Sequence, residues 1–286
     1  MMFFSWRCLP ALVATLFLAA AAAGEEATWS ATFPGSESGS DSAAFAVGDG
    51  RHLVAVALSG VDAGKGRLKL EGRELPAEVF VDPVSRLVVF RMSGPPGRAM
   101  PLLAAAPTAS GSILRCGSSG KGGRITGVIK QIEGKILPLC LLKVEYDGEA
   151  PIPGTPLING NGAVIAVAHQ ATGPREGFAL PVEVVKRVLD GVQGGGRVSR
   201  GWIGLKLQPA ASAPQVTGVQ AGSPSAKSGL MPGDVLLQVG ARRVLDYADA
   251  VNAFYFLQPG VATPFRIKRG NQQITLSLLP VERAGE

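Results

Sequence analysis

The stretch Gly222-Ser223-Pro224-Ser225-Ala226-Lys227-Ser228-Gly229-Leu230-Met231-Pro232-Gly233-Asp234 constrains this chain more than any other. Ser223 is a helix-capping residue, Pro224 suits a first helical turn, and Gly229 supplies the left-handed conformation at which a short helix stops. Met231-Pro232-Gly233-Asp234 then reads as a tight turn into the apolar strand Val235–Val239. Upstream, Gly201-Trp202-Ile203-Gly204-Leu205 places two aliphatic residues around a glycine at the start of another strand. The pattern is that of a small domain with short strands, a one-turn helix and fixed glycine turns.

A chain of 286 residues has room for a second domain with its own core. In residues 1–24, Arg7 is the only charge before an alanine-rich apolar run that closes in Ala21-Ala22-Ala23-Gly24. This is the pattern of a cleaved secretory signal, with a membrane anchor as the competing reading. No later run is long and apolar enough to span a bilayer, so the expectation is a soluble periplasmic or secreted protein. The formal net charge is +6, or +5 without Arg7. The basic residues are scattered and aromatics are few, which argues against nucleic-acid binding. No spacing of His, Cys, Asp or Glu suggests a metal, and no motif calls for a cofactor. Beyond the signal, Cys116 and Cys140 remain. Export permits a disulfide between them and burial would suit two free thiols, so both readings stand open.

Residues 25–42 are rich in Ser, Gly, Glu and Thr, with isolated Trp29 and Phe33, and are expected to form a flexible arm. From residue 43 the sequence becomes a series of short apolar runs parted by glycine and proline, among them Phe45–Val47, His52–Leu58, Leu87–Met92 and Ile125–Ile132. That spacing predicts a mainly β barrel or sandwich over residues 43–196. Its one helix is predicted over Val182–Val192, with Val184, Val185, Val188 and Leu189 at helical spacing. Gly194-Gly195-Gly196 reads as a flexible joint, and a second domain is expected over residues 198–283.

Together these segments resemble the HtrA/Deg-type serine proteases: a trypsin-like double β-barrel followed by an α+β PDZ domain. The resemblance covers most of the chain after residue 24, and its motifs can be followed one by one. The family's general base stands at the end of a strand matched by Leu53–Leu58, which puts Leu58 at the histidine. Its Asp-Pro-x-x-Asp-Leu-Ala-Val motif matches Asp82-Pro83-Val84-Ser85-Arg86-Leu87-Val88-Val89, with Arg86 at the orienting carboxylate. Its Gly-Asn-Ser-Gly-Gly-Pro-Leu motif matches Pro151-Ile152-Pro153-Gly154-Thr155-Pro156-Leu157, with Pro153 at the nucleophile. Leucine accepts no proton, proline has neither hydroxyl nor N–H, and arginine opposes an imidazolium. The expectation is therefore a pseudoprotease that is not an enzyme. His52 and His169, the only histidines, read as strand-end or surface residues, with a place near the cleft as the alternative for His169, and Ser118 and Ser119 as part of a glycine-rich connection.

The resemblance also implies a peptide-binding site. Trp202-Ile203-Gly204-Leu205 would be the loop whose backbone N–H groups receive a terminal carboxylate, and the strand through Leu207 would offer an edge for an added peptide strand. The other wall would be a helix capped by Asp246, with Val251 and Phe254 on the face of Tyr247; the alternative is that these three side chains face the domain core. The implied partners are protein or peptide C-termini, unfolded proteins and an active HtrA-type protease. A homotrimer held by Trp29 and Phe33 is the assembly implied. The expected role is adaptor, chaperone-like or regulatory. The alternatives are a serine-type endopeptidase with residual or partner-completed activity and a structural envelope protein.

Overall fold

A computed structural model describes residues 29–35, 40–93, 97–105, 111–117, 120–209 and 213–282. The segment read as a secretory signal lies outside these residues, as do Ser118 and Ser119. Among the described residues no helix is long and apolar enough to cross a membrane.

The first half is built from β1 (Trp29–Phe33), β2 (Ser40–Ala43), β3 (Phe45–Val47), β4 (His52–Val56), β5 (Arg67–Leu70), β6 (Arg73–Leu75), β7 (Ala77–Val81) and β8 (Leu87–Met92). They form two four-stranded sheets, ordered β2-β1-β5-β6 and β3-β4-β8-β7. Ala31, Phe33 and Leu68 of the first sheet pack on Leu53, Ala55, Val88 and Phe90 of the second. The other face of β4 and β8, with Val54, Val56, Leu87 and Val89, joins a separate core. Burial on both faces is why His52–Val56 lacks a polar alternation.

The flexible arm expected over residues 25–42 is corrected here. Trp29–Phe33 pairs with both β2 and β5. Its alternation puts Ala31 and Phe33 inward, fully buried, and that period-two pattern outweighs the polar composition. Phe33 is thereby spent on the core, so it is not exposed to hold a trimer.

The second half closes as a six-stranded barrel, β10-β11-β14-β13-β12-β9. Its strands are β9 (Ile113–Cys116), β10 (Gly122–Ile132), β11 (Lys135–Tyr146), β12 (Pro156–Ile158), β13 (Val164–Gly173) and β14 (Glu176–Pro181). Cys116 packs in the barrel core, whereas Cys140 lies in β11 near Asp249 and Lys130. The two are not joined by a disulfide, and burial pushes the Cys140 thiol up to about 11. Helix α1 (Val182–Gly195) lays Val184, Val185, Val188 and Leu189 on the core shared with β4 and β8. It runs on through Gly194 and Gly195 and stops at left-handed Gly196, so the expected glycine joint is largely helix.

The last domain contains β15 (Gly201–Trp202), β16 (Leu205–Leu207), β17 (Val216–Val219), α2 (Pro224–Lys227), β18 (Val235–Val239), β19 (Arg242–Arg243), α3 (Tyr247–Tyr255), β20 (Thr263–Arg269), β21 (Gln272–Leu278) and β22 (Val281–Glu282). Ser223 caps α2 by accepting from Ala226 N at 3.2 Å, and Gly229 follows with φ +82°. Asp234, 1% exposed, closes the turn by accepting from Met231 N at 2.9 Å and from Arg269 through both carboxylate oxygens. Burial alone would raise the Asp234 carboxyl, but the Arg269 and Met231 donors outweigh it and hold the group below 3.8.

Helix α3 packs against β11 and β10 of the barrel. Asp246 accepts from Asp249 N at 2.8 Å and Asp249 accepts from Leu245 N at 3.1 Å, a reciprocal cap. Lys130 of β10 reaches both carboxylates, at 3.1 and 2.6 Å. At the other end of α3, Tyr255 donates its hydroxyl to buried Asp82 at 2.7 Å. Arg187 of α1, 4% exposed, donates to Tyr255 O and Ser199 O.

Two outcomes are expected. Because Asp234 titrates lower folded than unfolded, its contribution is complete above 3.8 and is lost as pH falls through the folded value. Denaturant titrations of the intact protein should show this acid-side loss, and Asp234→Asn should remove it while costing about 1.5–3 kcal/mol at neutral pH. Tyr255→Phe should cost a similar amount, about 1.5–3 kcal/mol, since it withdraws a donor from a buried carboxylate. An unchanged denaturation midpoint would refute the Tyr255 assignment.

Candidate peptide-binding site and barrel cleft

In the barrel cleft, Leu58 is half-buried against the core beneath α1. Arg86 sits at φ +59° and spends its guanidinium on backbone carbonyls, Ala57 O at 3.0 Å, Leu58 O at 2.9 Å and Val61 O at 2.9 Å. Pro153 O accepts from Ala43 N at 2.8 Å, with Ser42 Oγ at 3.0 Å. The side chains of Leu58, Arg86 and Pro153 themselves bring no hydroxyl, imidazole or carboxylate to this cleft.

His52 begins β4 with Nδ1 3.1 Å from Asp49 Oδ1. His169 is not the surface residue expected. It lines a narrow crevice with Tyr146 and Pro151, beside the loop that carries Pro153. Its Nδ1 is buried without a hydrogen-bond partner among the described residues, and burial, then the Arg86 charge, holds the ring below 6.5.

The loop of the last domain is shaped by its carbonyl partners. Ser225 N donates to Ile203 O at 3.0 Å, and Gln220 N donates to Gly204 O at 2.8 Å. Peptide units here are trans, so the N–H of Gly204 and that of Leu205 point the opposite way, off the α2 side. Gly204 has φ +71°, and a Cβ there would fall within 3.0 Å of Ser223 and the Trp202 ring. Only glycine fits that turn. Leu205 stands opposite Val219, and the Gln220–Gly204 bond makes this a non-hydrogen-bonded pair. Leu205 therefore turns its own N–H and C=O to the outer edge of β16.

Trp202, Val251 and Phe254 meet at one cavity of about 230 Å³, bordered also by Arg200. Phe254 additionally stacks on Phe265, ring centroids 6.4 Å apart. Ile203 does not join them. It is 5% exposed and belongs to the core with Leu236 and Phe265, while Leu205 and Leu207 pack on that core from its edge. Ile203 is drawn inward because its carbonyl is tied to α2. The cavity has two further walls that sequence reading missed, Val84 and Pro138, both from the barrels. Among the described residues no cluster is placed to hold a metal ion.

Comparison with known proteins is consistent with this geometry. Residues 201–279 match the PDZ domain model. A probable periplasmic serine endoprotease DegP-like of Rhizobium meliloti is 29% identical over 180 residues, 56% of this chain and 36% of that protein. A protein of the same name from Chlamydia trachomatis is 32% identical over 150 residues, 45% of this chain and 30% of that protein. The chain thus spans about a third of the length of these relatives. In structure, the HtrA-type protease AlgW with tripeptide superposes with a TM-score of 0.62 at 21% identity, over 91% of this chain and 95% of the other. The serine endoprotease from Yersinia pestis gives 0.55 at 20% identity, over 89% and 94%.

These matches correct the expectation that the chain is not an enzyme. Its relatives are named serine endoproteases and its structural neighbours are HtrA-type proteases, so the similarity points to protease and not to a protein without activity. The chain therefore has the trypsin-like fold seen in HtrA-type proteases, followed by a PDZ domain, and is similar to DegP-like endoproteases over part of their length.

Proposed function

We propose that this is a periplasmic HtrA-type protein that captures peptide C-termini, or extended unfolded segments, through its PDZ domain. The observation that carries this reading is the turn at Gly204, where the carbonyls of Ile203 and Gly204 are tied back and two successive N–H groups face outward. Such a pair receives a carboxylate, and the outward edge of Leu205 accepts the preceding residues as an added strand. Arg200 supplies a positive charge beside the cavity, and Trp202, Val251 and Phe254 supply apolar walls for the terminal side chain. The AlgW structure contains a tripeptide, which supports peptide as the ligand class. The periplasmic assignment follows the names of the relatives and agrees with the signal-like residues 1–24.

A second reading, serine endopeptidase, is favoured by the names of the relatives. Hydrolysis would have to use groups other than Leu58, Arg86 and Pro153. Incubation with reduced casein and with a fluorophosphonate probe decides it. Turnover and labelling that one serine or threonine substitution abolishes would establish the activity and its nucleophile. Neither signal at enzyme concentrations where a known protease responds would exclude it.

For capture, fluorescence titration with peptides bearing a free apolar C-terminus should saturate, and amidating that terminus should weaken binding. Gly204→Trp should abolish binding by filling the turn. Val251→Glu, on the half-buried face of α3, should weaken it by more than about tenfold through repulsion of the terminal carboxylate. Equal binding of the free and amidated peptides would contradict carboxylate recognition.

A further inference from the structure

The cavity beside the peptide loop is not a property of the PDZ domain alone. Trp202, Val251 and Phe254 form one side, while Val84, from the turn between β7 and β8, and Pro138, from β11, form the other. Its volume of about 230 Å³ far exceeds the roughly 10–15 Å³ that one water needs. It is smaller than the roughly 300–1,000 Å³ of ordinary small-molecule sites. That is the scale of one large side chain. The polar character also selects the occupant: among the described residues Arg200 is the one charged residue bordering the cavity, and no carboxylate lines it. A chain end with an apolar last side chain and a free carboxylate meets both conditions.

The two walls are held in register. Tyr255, which follows Phe254 on α3, donates to Asp82 at 2.7 Å, two residues before Val84. The spacing between Phe254 and Val84 is thus set by a buried hydrogen bond and not by a loose contact of two domains.

We infer that Val84 and Pro138 are specificity-determining residues for the captured chain end, limiting the size of its last side chain from the barrel side. This inference rests on the peptide-capture reading. Enlarging Val84 shortens the cavity and should exclude large terminal residues, whereas shrinking it should admit them. A change of one methylene in an apolar pocket alters affinity by about tenfold or more, so the effect is measurable.

The test is a titration of the full chain with four peptides that differ only in a terminal Ala, Val, Leu or Phe. Val84→Phe should weaken the Leu- and Phe-ended peptides by about tenfold or more and leave the Ala-ended peptide within about twofold. Val84→Ala should shift preference toward Phe, and Pro138→Phe should act in the same direction as Val84→Phe. Thermal melts confirm that each variant is folded; the Val84→Ala arm stands if a bulky variant is not. Saturable binding to the parent chain with the same ranking in all folded variants overturns this inference and leaves peptide capture intact. No saturable binding to the parent chain by any of the four overturns both.

Discussion

One buried carboxylate anchors the C-terminal end of α3, and with it the PDZ domain, to the barrels. Asp82 is 1% exposed, and its Oδ2 accepts from Ser85 N at 2.9 Å, Ser85 Oγ at 2.5 Å and Tyr255 OH at 2.7 Å. The first two donors are local and shape the turn that presents Val84. The third arrives from a residue 173 positions later in the chain. A buried carboxylate needs such donors, and all three converge on Oδ2 while Oδ1 has no hydrogen-bond partner among the described residues, so the bond to Tyr255 both steadies the turn and docks α3. Arg187 acts on the same residue from α1, its guanidinium 5.7 Å from the Tyr255 ring centroid and donating to Tyr255 O. A cation at the carbonyl end of a helix is favourable, and here it also ties that end to the segment linking the domains.

From this docking follows the geometry of the candidate site. The loop at Gly204 is complete within the PDZ domain, because the bonds from Ser225 and Gln220 that orient it are both local to that domain. The cavity is not complete there. Its depth depends on where the barrel turn and β11 stand relative to α3, and Lys130, paired with Asp246 and Asp249, fixes the start of the helix as Asp82 fixes its end. On the proposed reading, backbone capture and side-chain selection would be separable, the first intrinsic to one domain and the second shared between two.

What the sequence made legible follows the same division. Ser223, Gly229, Asp246 and the turn closed by Asp234 are decided within a few residues, so capping and turn chemistry announced them. The buried strand His52–Val56 showed as an unbroken apolar run because both of its faces are covered. The strand Trp29–Phe33 was hidden by its polar neighbourhood, although Trp29, Ala31 and Phe33 alternate as a half-buried strand requires. Ile203 looked like a pocket wall from its place beside Gly204; its inward turn depends on a bond to Ser225 that no local pattern encodes. Val84 and Pro138 carry no mark in the sequence of lining this cavity, since only docking across the chain brings them to Phe254. His169 gave no sign of burial, because the crevice around it is assembled from Tyr146 and Pro151 on other segments.

The loop around Pro153 shows why fold and motif part company in the barrel. Its shape is set by Ala43 N and Ser42 Oγ meeting Pro153 O and by Gly154 N donating to Ala168 O at 2.8 Å. Gly154 has φ +81°, and a Cβ there would fall within 3.0 Å of Ala43 O and Ser42 Oγ. None of these contacts involves the side chain at 153, so the same backbone accepts a hydroxyl or a pyrrolidine ring there. The shape of this loop is accordingly carried by contacts to its backbone and not by the side chain at its centre. Chemistry draws on a different set of atoms: Pro151 and Pro153 offer no N–H, and the Gly154 N–H is already committed to Ala168.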